Sequence, residues 1–427
     1  MKTRLRWGVV LLLYLATSIN YMDRAVLGIA GPQMMEDLSL TTVQFGLLGS
    51  AFFWTYTLMQ IPVGPIVDKF GAKVTYAIAI VWWSLCTIAT AGGRSLGVLL
   101  GIRAMMGIGE SPAFPTNTRV IKDWLPSKER GIANGIFTMG IATGAGLSTP
   151  LLAWIIGSWG WHMAFILTGA VGLIWVPIWL YYYKNNPADS KMNEAELQHI
   201  QEGKIEQTVV SESKVKWYEL LKIKNVWCCM YGLFSQNYLL YMMLTWLPTY
   251  LVMERDMSLL KAGFNAVIPW VVASIGAICG GLISDRLVKR GWRPIAARRT
   301  VMSIGMLFCL AIIPAGFVSN VGLALALISL SIGGMMFANS GTWAILTDIA
   351  PEGTVGTLAG LQNFIGNIAG WIAPIMTGFI VGYFKSFVGG LVIAGIITGI
   401  AFLVYTFLLK ENEKTVTINE NNEVVSP

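Results

Sequence analysis

The stretch Ile19-Asn20-Tyr21-Met22-Asp23-Arg24 lies inside an apolar run that extends from Trp7 to Ala30. A run of about 24 residues forms a helix of about 36 Å, which is long enough to cross a bilayer. Asp23 and Arg24 then lie in the hydrocarbon region, where a charged side chain costs about 3 kcal/mol and normally faces a bundle interior or a water-filled path. The stretch therefore predicts a membrane helix that carries a functional site.

The composition of the whole chain indicates the same class of protein. Hydrophobic residues make up 55% and charged residues 12% of the 427 residues, and the mean hydropathy is +0.62. Soluble domains carry about a quarter charged residues, so we expect a polytopic membrane protein. Twelve spans are predicted, at residues 7–30, 43–66, 74–92, 95–118, 131–155, 162–183, 226–252, 263–284, 300–317, 320–347, 354–381 and 387–409.

The net charge of +7 is explained by membrane topology, so no nucleic-acid partner is expected. With the N-terminus inside, most of the 30 Lys and Arg residues fall on the cytoplasmic side, and the external loops hold only Arg94, Arg255, Lys261 and Lys385. This asymmetry predicts cytoplasmic N- and C-termini. The five cysteines lie within predicted spans and the only histidines are His162 and His199, so we expect no metal site and no cofactor.

The chain divides into two hydrophobic halves around one long polar segment. We predict an N-terminal six-helix bundle at 1–183, a cytoplasmic linker at 184–225, a C-terminal six-helix bundle at 226–410 and a polar cytoplasmic tail at 411–427. Within the linker, Asn193-Glu194-Ala195-Glu196 precedes Leu197 and is typical of a capped helix start.

An internal repeat supports the two halves. Gly64-Pro65-Ile66-Val67-Asp68-Lys69-Phe70-Gly71-Ala72-Lys73 follows the second span, and Gly281-Leu282-Ile283-Ser284-Asp285-Arg286 follows the eighth. Repeated halves are typical of secondary transporters. The pattern resembles the G-x-x-x-D-[RK]-x-G-x-[RK] signature of the major facilitator superfamily, and the resemblance covers nearly the whole chain. It implies an all-α integral membrane fold of twelve transmembrane helices in two six-helix bundles.

The acidic and basic residues of this repeat are candidates for gating. A carboxylate in such a loop is suited to pair with Arg130 or a helix N-terminus and to hold one side of a transporter closed in one state. We assign the conformational cycle, and not substrate binding, to Asp68, Lys69, Arg130, Asp285 and Arg286.

Two further charged residues lie in the fourth predicted span. Arg103 and Glu110 are seven residues apart, so they share a helix face at a distance of about 10 Å. Together with Asp23 and Arg24 they give two acids and two bases within the membrane. One interpretation is a structural ion-pair cluster, although apolar residues would pack as well or better than buried ions. The other is that Asp23 and Glu110 carry protons, that an arginine binds an anion, and that protonation of Glu110 releases Arg103.

Three motifs narrow the resemblance. Asn20-Tyr21-x-Asp23-Arg24, Arg103 with Glu110 and Pro112, and Asp123-Trp124-x-Pro126-x-x-Glu129-Arg130 resemble the anion:cation symporter branch, and within it bacterial sugar-acid carriers of the galactonate, glucarate and galactarate type. The resemblance implies proton-coupling roles for Asp23 and Glu110. It also implies substrate-binding roles for Arg24, Arg103, Tyr21, Tyr56, Gln236, Ser340, Thr342, Trp343 and Asn363.

For the polar residues of the second half, the alternative interpretation is hydrogen bonding between helices. The functional expectation is a proton symporter, and not an enzyme, that imports a hexonate or aldarate by alternating access, working as a monomer in the bacterial inner membrane. An organic-anion exchanger, or a carrier for an aromatic acid, dicarboxylate or hexuronate, is the alternative. A phosphate-ester exchanger is disfavoured because the seventh span has Gln236 and Asn237 in place of arginine. A membrane enzyme lacks a nucleophile with a base, and a sensor would need a larger cytoplasmic domain than the linker.

Overall fold

The computed structural model of the chain describes residues 4–126, 129–205, 218–350 and 354–410. Within these ranges all regular secondary structure is helical, which confirms the predicted all-α class. The first half contains α1 (Leu5–Asp37), α2 (Thr42–Phe70), α3 (Ala72–Thr90), α4 (Leu96–Glu110), α5 (Ala113–Trp124), α6 (Arg130–Ala142), α7 (Thr149–Trp159) and α8 (Trp161–Tyr182). The second half, after the linker helix α9 (Glu194–Ile205), contains α10 (Lys224–Met253), α11 (Leu259–Lys289), α12 (Pro294–Cys309), α13 (Ile312–Phe317), α14 (Val321–Ala344), α15 (Leu346–Ile349), α16 (Val355–Phe384) and α17 (Val388–Leu403).

Local sequence explains where several helices begin and end. α2 starts with a capping box in which Thr41 and Gln44 satisfy each other's backbone N–H groups, and it ends at Gly71 with a φ of +78°. α4 stops at Glu110 because Pro112 has no N–H to continue the helical ladder. The Ser111 hydroxyl instead donates to the Ile108 carbonyl at 2.8 Å, and α5 follows at an interruption of the predicted span 95–118.

Nine helices of the described ranges are long and apolar enough to cross a membrane. Counted in this way, α6 and α7 form one span through a π-helical turn at Thr143–Leu147, and α12 and α13 form another. The three remaining predicted positions hold α2, the α4–α5 pair and α10. α2 and α10 are long enough but less apolar, and the break before Pro112 shortens α4. The predicted count of twelve spans is therefore not reproduced by these criteria.

The described residues form two compact units, and the predicted domain boundaries stay a prediction. Unit 1 is drawn from Met1–Thr208, Tyr241–Val271 and Gly370–Gly390. Unit 2 is drawn from Val209–Leu240, Val272–Ala369 and Leu391–Pro427. The predicted tail 411–427 lies outside the described residues.

Unit 1 has an aromatic core where α3 packs against α8. The rings of Trp175 and Trp179 stack with centroids 5.1 Å apart, and Tyr76 contacts both of them edge-on. At Gly169 a Cβ atom would lie 2.6 Å from the Ser84 carbonyl oxygen, so the two backbones approach as closely as glycine allows.

Unit 1 also includes the loop ends of α10 and α16, which pack against α1 and α2. The Thr42 hydroxyl of α2 donates to the Gly378 carbonyl of α16 at 2.9 Å. A Cβ at Gly46 would lie 2.5 Å from the Pro374 carbonyl oxygen. The Thr249 hydroxyl of α10 donates to the Gly28 carbonyl of α1 at 3.0 Å. At these points the helices approach one another closely.

The linker helix α9 is docked onto the start of α1 by a charged cluster. Its predicted cap is present, since the Asn193 side chain accepts from the Glu196 N–H at 3.0 Å. Arg6 donates to Glu196 at 2.7 Å and to Glu129 at 2.8 Å, and His199 of α9 lies 3.0 Å from the same Glu129 carboxylate.

In unit 2, α12 packs closely against α14. A Cβ at Gly305 would lie 2.5 Å from the Gly334 carbonyl oxygen. One turn away the Ser331 hydroxyl donates to the Cys309 carbonyl at 3.0 Å. Small residues and local hydrogen bonds hold this pair together in the way typical of membrane helices.

Candidate functional site

The four charged residues predicted to lie in the membrane are all buried within unit 1. The exposed fraction is 0% for Asp23 and Glu110 and 4% for Arg24 and Arg103. Arg24 Nε of α1 donates to Glu110 Oε2 of α4 at 2.8 Å. These helices therefore direct their charges toward protein, as a functional or structural cluster requires.

The Arg24–Glu110 pair is a single hydrogen bond and not a bidentate one. Arg24 Nη2 and Glu110 Oε1 are both buried, and neither has a hydrogen-bond partner among the described residues. Such atoms are costly to bury unless another group, such as a ligand, water or proton, satisfies them. The pair can thus accept a further group without losing an existing bond.

Three aromatic rings surround the Arg24 guanidinium. Its central carbon lies 4.9 Å from the Tyr21 ring centroid, 4.6 Å from Phe52 and 4.9 Å from Tyr56. The Phe52 and Tyr56 rings stack 5.2 Å apart, one helical turn from each other on α2. A planar guanidinium stacks on such rings and gains cation–π attraction from them. Tyr21 and Tyr56, both predicted site residues, thus contact the cation directly.

Arg103 differs from Arg24 because no carboxylate lies within hydrogen-bonding distance of it in the described part of the chain. Its Nε donates to the Leu48 carbonyl at 3.4 Å, and its Nη1 contacts the Met106 sulfur at 3.3 Å. The prediction that protonation of Glu110 releases Arg103 is therefore wrong, because the arginine that Glu110 binds is Arg24. Seven residues along α4 separate these two side chains, so Glu110 instead meets Arg24 on the neighbouring helix.

Asp23 lies on the other side of α1, toward α3 and α8. One turn before it, Ile19 reaches the position where Gly172 of α8 and Ser84 of α3 touch. Neither Asp23 oxygen has a hydrogen-bond partner within the ranges that the structure covers. An ionised carboxylate is much more expensive to bury without partners than a neutral acid, so this position suits a group that gains and loses a proton.

The predicted polar residues of the second half lie in unit 2. Gln236 Nε2 of α10 donates to the Thr342 hydroxyl of α14 at 2.7 Å, so these two residues do connect helices, as in the alternative interpretation. The Ser340 hydroxyl donates to the Phe337 carbonyl of its own helix at 2.8 Å. Asn363 Oδ1 accepts from Asn367 at 3.0 Å. Trp343 is 43% exposed and free to serve as an apolar wall.

Sequence reasoning missed several residues that surround the charged cluster of unit 1 and the polar residues of unit 2. Phe52 covers both arginines, and Tyr241 of α10 packs against Phe53 with ring centroids 4.1 Å apart. In unit 2, Asn339 and Tyr405 both contact Gln236. Only Phe52 had a signal in the sequence, since it precedes Tyr56 by one helical turn.

The proposed gating residues have partners that differ from those expected. Asp68 forms an ion pair with Arg119 of α5, and not with Arg130. Arg130 instead donates to the Leu125 and Lys122 carbonyls at 3.2 and 3.1 Å, at the end of α5. Lys69 lies beside the ring of its neighbour Phe70, and the corresponding residues of the second half, Asp285 and Arg286, are exposed on α11.

Comparison with known proteins relates the whole chain to proteins of known family and fold. A model of the Major Facilitator Superfamily matches residues 13–374. The chain is 36% identical to the probable galactarate/D-glucarate transporter GudP of Bacillus subtilis, a match that covers 96% of this chain and 92% of that protein. It is 34% identical to the D-galactonate transporter of Escherichia coli O6:H1, over 88% and 89% of the two chains. A crystal structure of a bacterial homolog of the human lysosomal transporter Spinster, inward-facing and occupied, has the same fold, with a TM-score of 0.78 at 18% identity over 95% of this chain and 97% of that one.

Proposed function

The chain belongs to the Major Facilitator Superfamily, whose members are membrane transporters and not enzymes, and from this premise we propose that it imports a sugar-acid anion by proton symport. The observation that carries the proposal is the buried Arg24–Glu110 pair together with Arg103, which has no carboxylate partner among the described residues. Two buried guanidinium groups match the charge and the planar geometry of an organic acid.

The substrate class is supported by the relatives. One is a probable galactarate/D-glucarate transporter and another a D-galactonate transporter, each aligned over most of this chain. Both names describe polyhydroxylated carboxylates. We propose Arg103 as the main carboxylate-binding residue, because among the described residues its guanidinium is hydrogen-bonded only to a carbonyl and a thioether sulfur.

Proton coupling follows from competition for Arg24. While Glu110 is ionised it holds Arg24 at 2.8 Å, and protonation removes the negative charge that holds the pair together. Arg24 then gains freedom to bind the substrate carboxylate. Asp23 supplies a second proton site, and in the part of the chain that the structure describes no base lies within hydrogen-bonding distance of it.

The driving force depends on the proton count. One proton with a monoanion is electroneutral and gains about 1.4 kcal/mol per unit of pH gradient. A second proton adds about 2.3 kcal/mol per 100 mV of membrane potential. With two buried acids, the proposal allows either stoichiometry for a hexonate and requires two protons for electroneutral uptake of an aldarate.

We further propose that the protein works as a monomer in the bacterial inner membrane, with both termini cytoplasmic. The excess of Lys and Arg in the predicted cytoplasmic segments supports this orientation. In this orientation, the close contacts of α1 and α2 with α10 and α16 lie at the external side of the membrane. We propose that these contacts hold the external side closed in one state of an alternating-access cycle.

The direct test is uptake of labelled galactarate, D-glucarate and D-galactonate into proteoliposomes with an acidic exterior. We expect accumulation above equilibrium that a protonophore abolishes. Uptake that the protonophore does not change, but that increases with unlabelled substrate inside the vesicles, would instead identify an exchanger. If none of the three acids is taken up, the proposed substrate class is wrong.

A further inference from the structure

We propose that Asn339 of α14 determines specificity by accepting a hydrogen bond from a substrate hydroxyl. This inference rests on the proposed function, because it assigns a residue to recognition of the sugar acid. Neither the sequence motifs nor the substrate-binding residues implied by the family resemblance include Asn339.

The position of Asn339 makes it accessible. It precedes Trp343 by four residues, so the two side chains share one face of α14. Trp343 is 43% exposed and Asn339 is half-buried, whereas Gln236 and Thr342 are buried, with exposed fractions of 1% and 0%. Asn339 is therefore the accessible end of a buried polar chain.

The hydrogen bonds of this polar chain run in a single direction, from Asn339 through Gln236 to Thr342. The Thr342 hydroxyl donates its one hydrogen to the Ala338 carbonyl at 3.1 Å, so it can only accept from Gln236. Gln236 Nε2 makes that bond at 2.7 Å and also lies 3.4 Å from the Tyr405 hydroxyl oxygen. The amide nitrogen of Gln236 is thus fixed on the side of Thr342.

The orientation of Gln236 fixes the orientation of Asn339. Gln236 Oε1 points away from Thr342 and accepts from Asn339 Nδ2 at 2.9 Å. Asn339 would lose this bond if its own amide were flipped, because two carbonyl oxygens would then face each other. Asn339 Oδ1 is consequently the atom left to bind a ligand.

An amide oxygen in this place selects the chemistry of its partner. It accepts from a hydroxyl, and it repels a carboxylate oxygen, which has no hydrogen to donate. A site that hydrogen-bonds a substrate hydroxyl discriminates against the analogue that lacks it. Asn339 therefore distinguishes a hydroxylated chain from a plain carboxylate.

Tyr405 holds Gln236 in place at the buried end of this row of hydrogen-bonded side chains. Its hydroxyl packs directly on α10, where a Cβ at Gly232 would lie 1.6 Å from the hydroxyl oxygen. Gly232 precedes Gln236 by one turn, so the glycine provides the space through which Tyr405 reaches the Gln236 amide.

The test compares a substrate with its single-deoxy analogues. The parent is whichever of galactarate, D-glucarate and D-galactonate the purified wild-type protein binds most tightly by calorimetry. In wild type we expect at least one deoxy analogue to bind about five- to tenfold more weakly, the effect of one hydrogen bond of about 1 kcal/mol. In Asn339→Ala and Asn339→Leu the parent should weaken by that factor, and the deoxy analogue should weaken no further.

Asn265→Ala is the matched control. Asn265 is also a half-buried amide, and its Nδ2 donates to the Lys261 carbonyl of its own helix at 2.8 Å. We expect Asn265→Ala to discriminate between the parent acid and its deoxy analogues as wild type does. The inference is overturned if Asn339→Ala weakens the parent and every analogue equally, or leaves the parent unchanged. Wild-type protein that binds none of the three acids would overturn the proposed function as well, so the wild-type measurement alone separates the two failures.

Discussion

At the scale of single residues, the proposed coupling of proton and anion depends on the pairing of Glu110. Glu110 is completely buried and bonds Arg24 at 2.8 Å, and its second oxygen has no hydrogen-bond partner among the described residues. A neutral acid in its place cannot hold the guanidinium by charge. The state of one proton thus determines how many donors of Arg24 are free for a substrate.

Glu110→Gln should separate transport from proton coupling. Glutamine keeps the shape of the side chain but resembles the permanently protonated acid, so we expect loss of pH-driven accumulation with counterflow retained within a few-fold of wild type. Proteoliposome uptake with and without a pH gradient measures both. Glu36→Gln, an exposed acid at the end of α1, serves as the control. Wild-type accumulation by Glu110→Gln would show that Glu110 carries no coupled proton.

At the scale of elements, the ion pair between Asp68 and Arg119 connects the end of α2 with α5. Asp68 is 73% exposed in its side chain and Arg119 34% exposed, and such a pair contributes about 0 to 1 kcal/mol to stability. The pair therefore contributes little to holding the fold, and we propose that it favours one conformation of the carrier over another.

Asp68→Asn should slow turnover by about tenfold, a barrier change of about 1.4 kcal/mol, while substrate affinity stays within about twofold. The reason is that the pair is far along α2 from the Arg24 site and its loss affects interconversion. Uptake rates and calorimetric binding measure the two quantities, with Asp189→Asn of the linker as an exposed-acid control. An equally large loss of affinity would assign Asp68 to binding, and rescue by the charge swap Asp68→Arg with Arg119→Asp would support the ion pair.

Glu129 takes part in docking the linker helix α9, since it bonds both Arg6 of α1 and His199 of α9. The hydrogen bond from Arg6 lowers the pKa of the Glu129 carboxyl below its ordinary value, and His199 contributes in the same direction. A lowered pKa in the folded state means that this carboxylate stabilises docking fully above about pH 4.3, its unfolded value. The contribution is lost as the pH falls through the folded value.

Hydrogen exchange of the α9 backbone should report this dependence. We expect equal protection factors at pH 7 and pH 5 and a loss of protection below about pH 4. In Glu129→Gln the α9 backbone should have low protection factors at every pH, with little dependence on pH. Glu194 is an exposed acid at the start of α9, so Glu194→Gln should behave as wild type. If Glu129→Gln keeps the acid transition of wild type, another group is responsible for it.

At the scale of the whole molecule, we propose that the close contact of α2 with α16 within unit 1 closes one side of the carrier in one state of its cycle. Ser50 of α2 donates to the Trp371 carbonyl at 2.8 Å, and the Trp371 indole donates to the Phe53 carbonyl at 2.7 Å. Phe53 also packs on Tyr241, beside Tyr56 of the Arg24 cage. One face of α2 therefore contacts both the charged site and the closed side.

Gly46→Ala should prevent this closure, because its Cβ would lie 2.5 Å from a backbone oxygen of α16 that cannot rotate away. In a cysteine-free background carrying Ser50→Cys, which replaces a buried side chain, we expect faster labelling by an impermeant maleimide and at least tenfold slower transport. Gly101→Ala is the control, since no atom lies within 4 Å of its added Cβ. Unchanged labelling and transport in Gly46→Ala would show that this contact is not needed for closure.

The sequence by itself determined the membrane class, the all-α fold, the family and the four charges that the structure buries in unit 1. These follow from local properties: hydropathy identifies a membrane helix, and the helical period tells which residues of one helix share a face. It did not determine that Glu110 holds Arg24 and not Arg103, that Asp68 meets Arg119, or that Asn339 ends the Gln236 chain. Those pairs join residues far apart in sequence, 86 residues for Arg24 and Glu110, and only the packing of one helix against another decides which side chains meet.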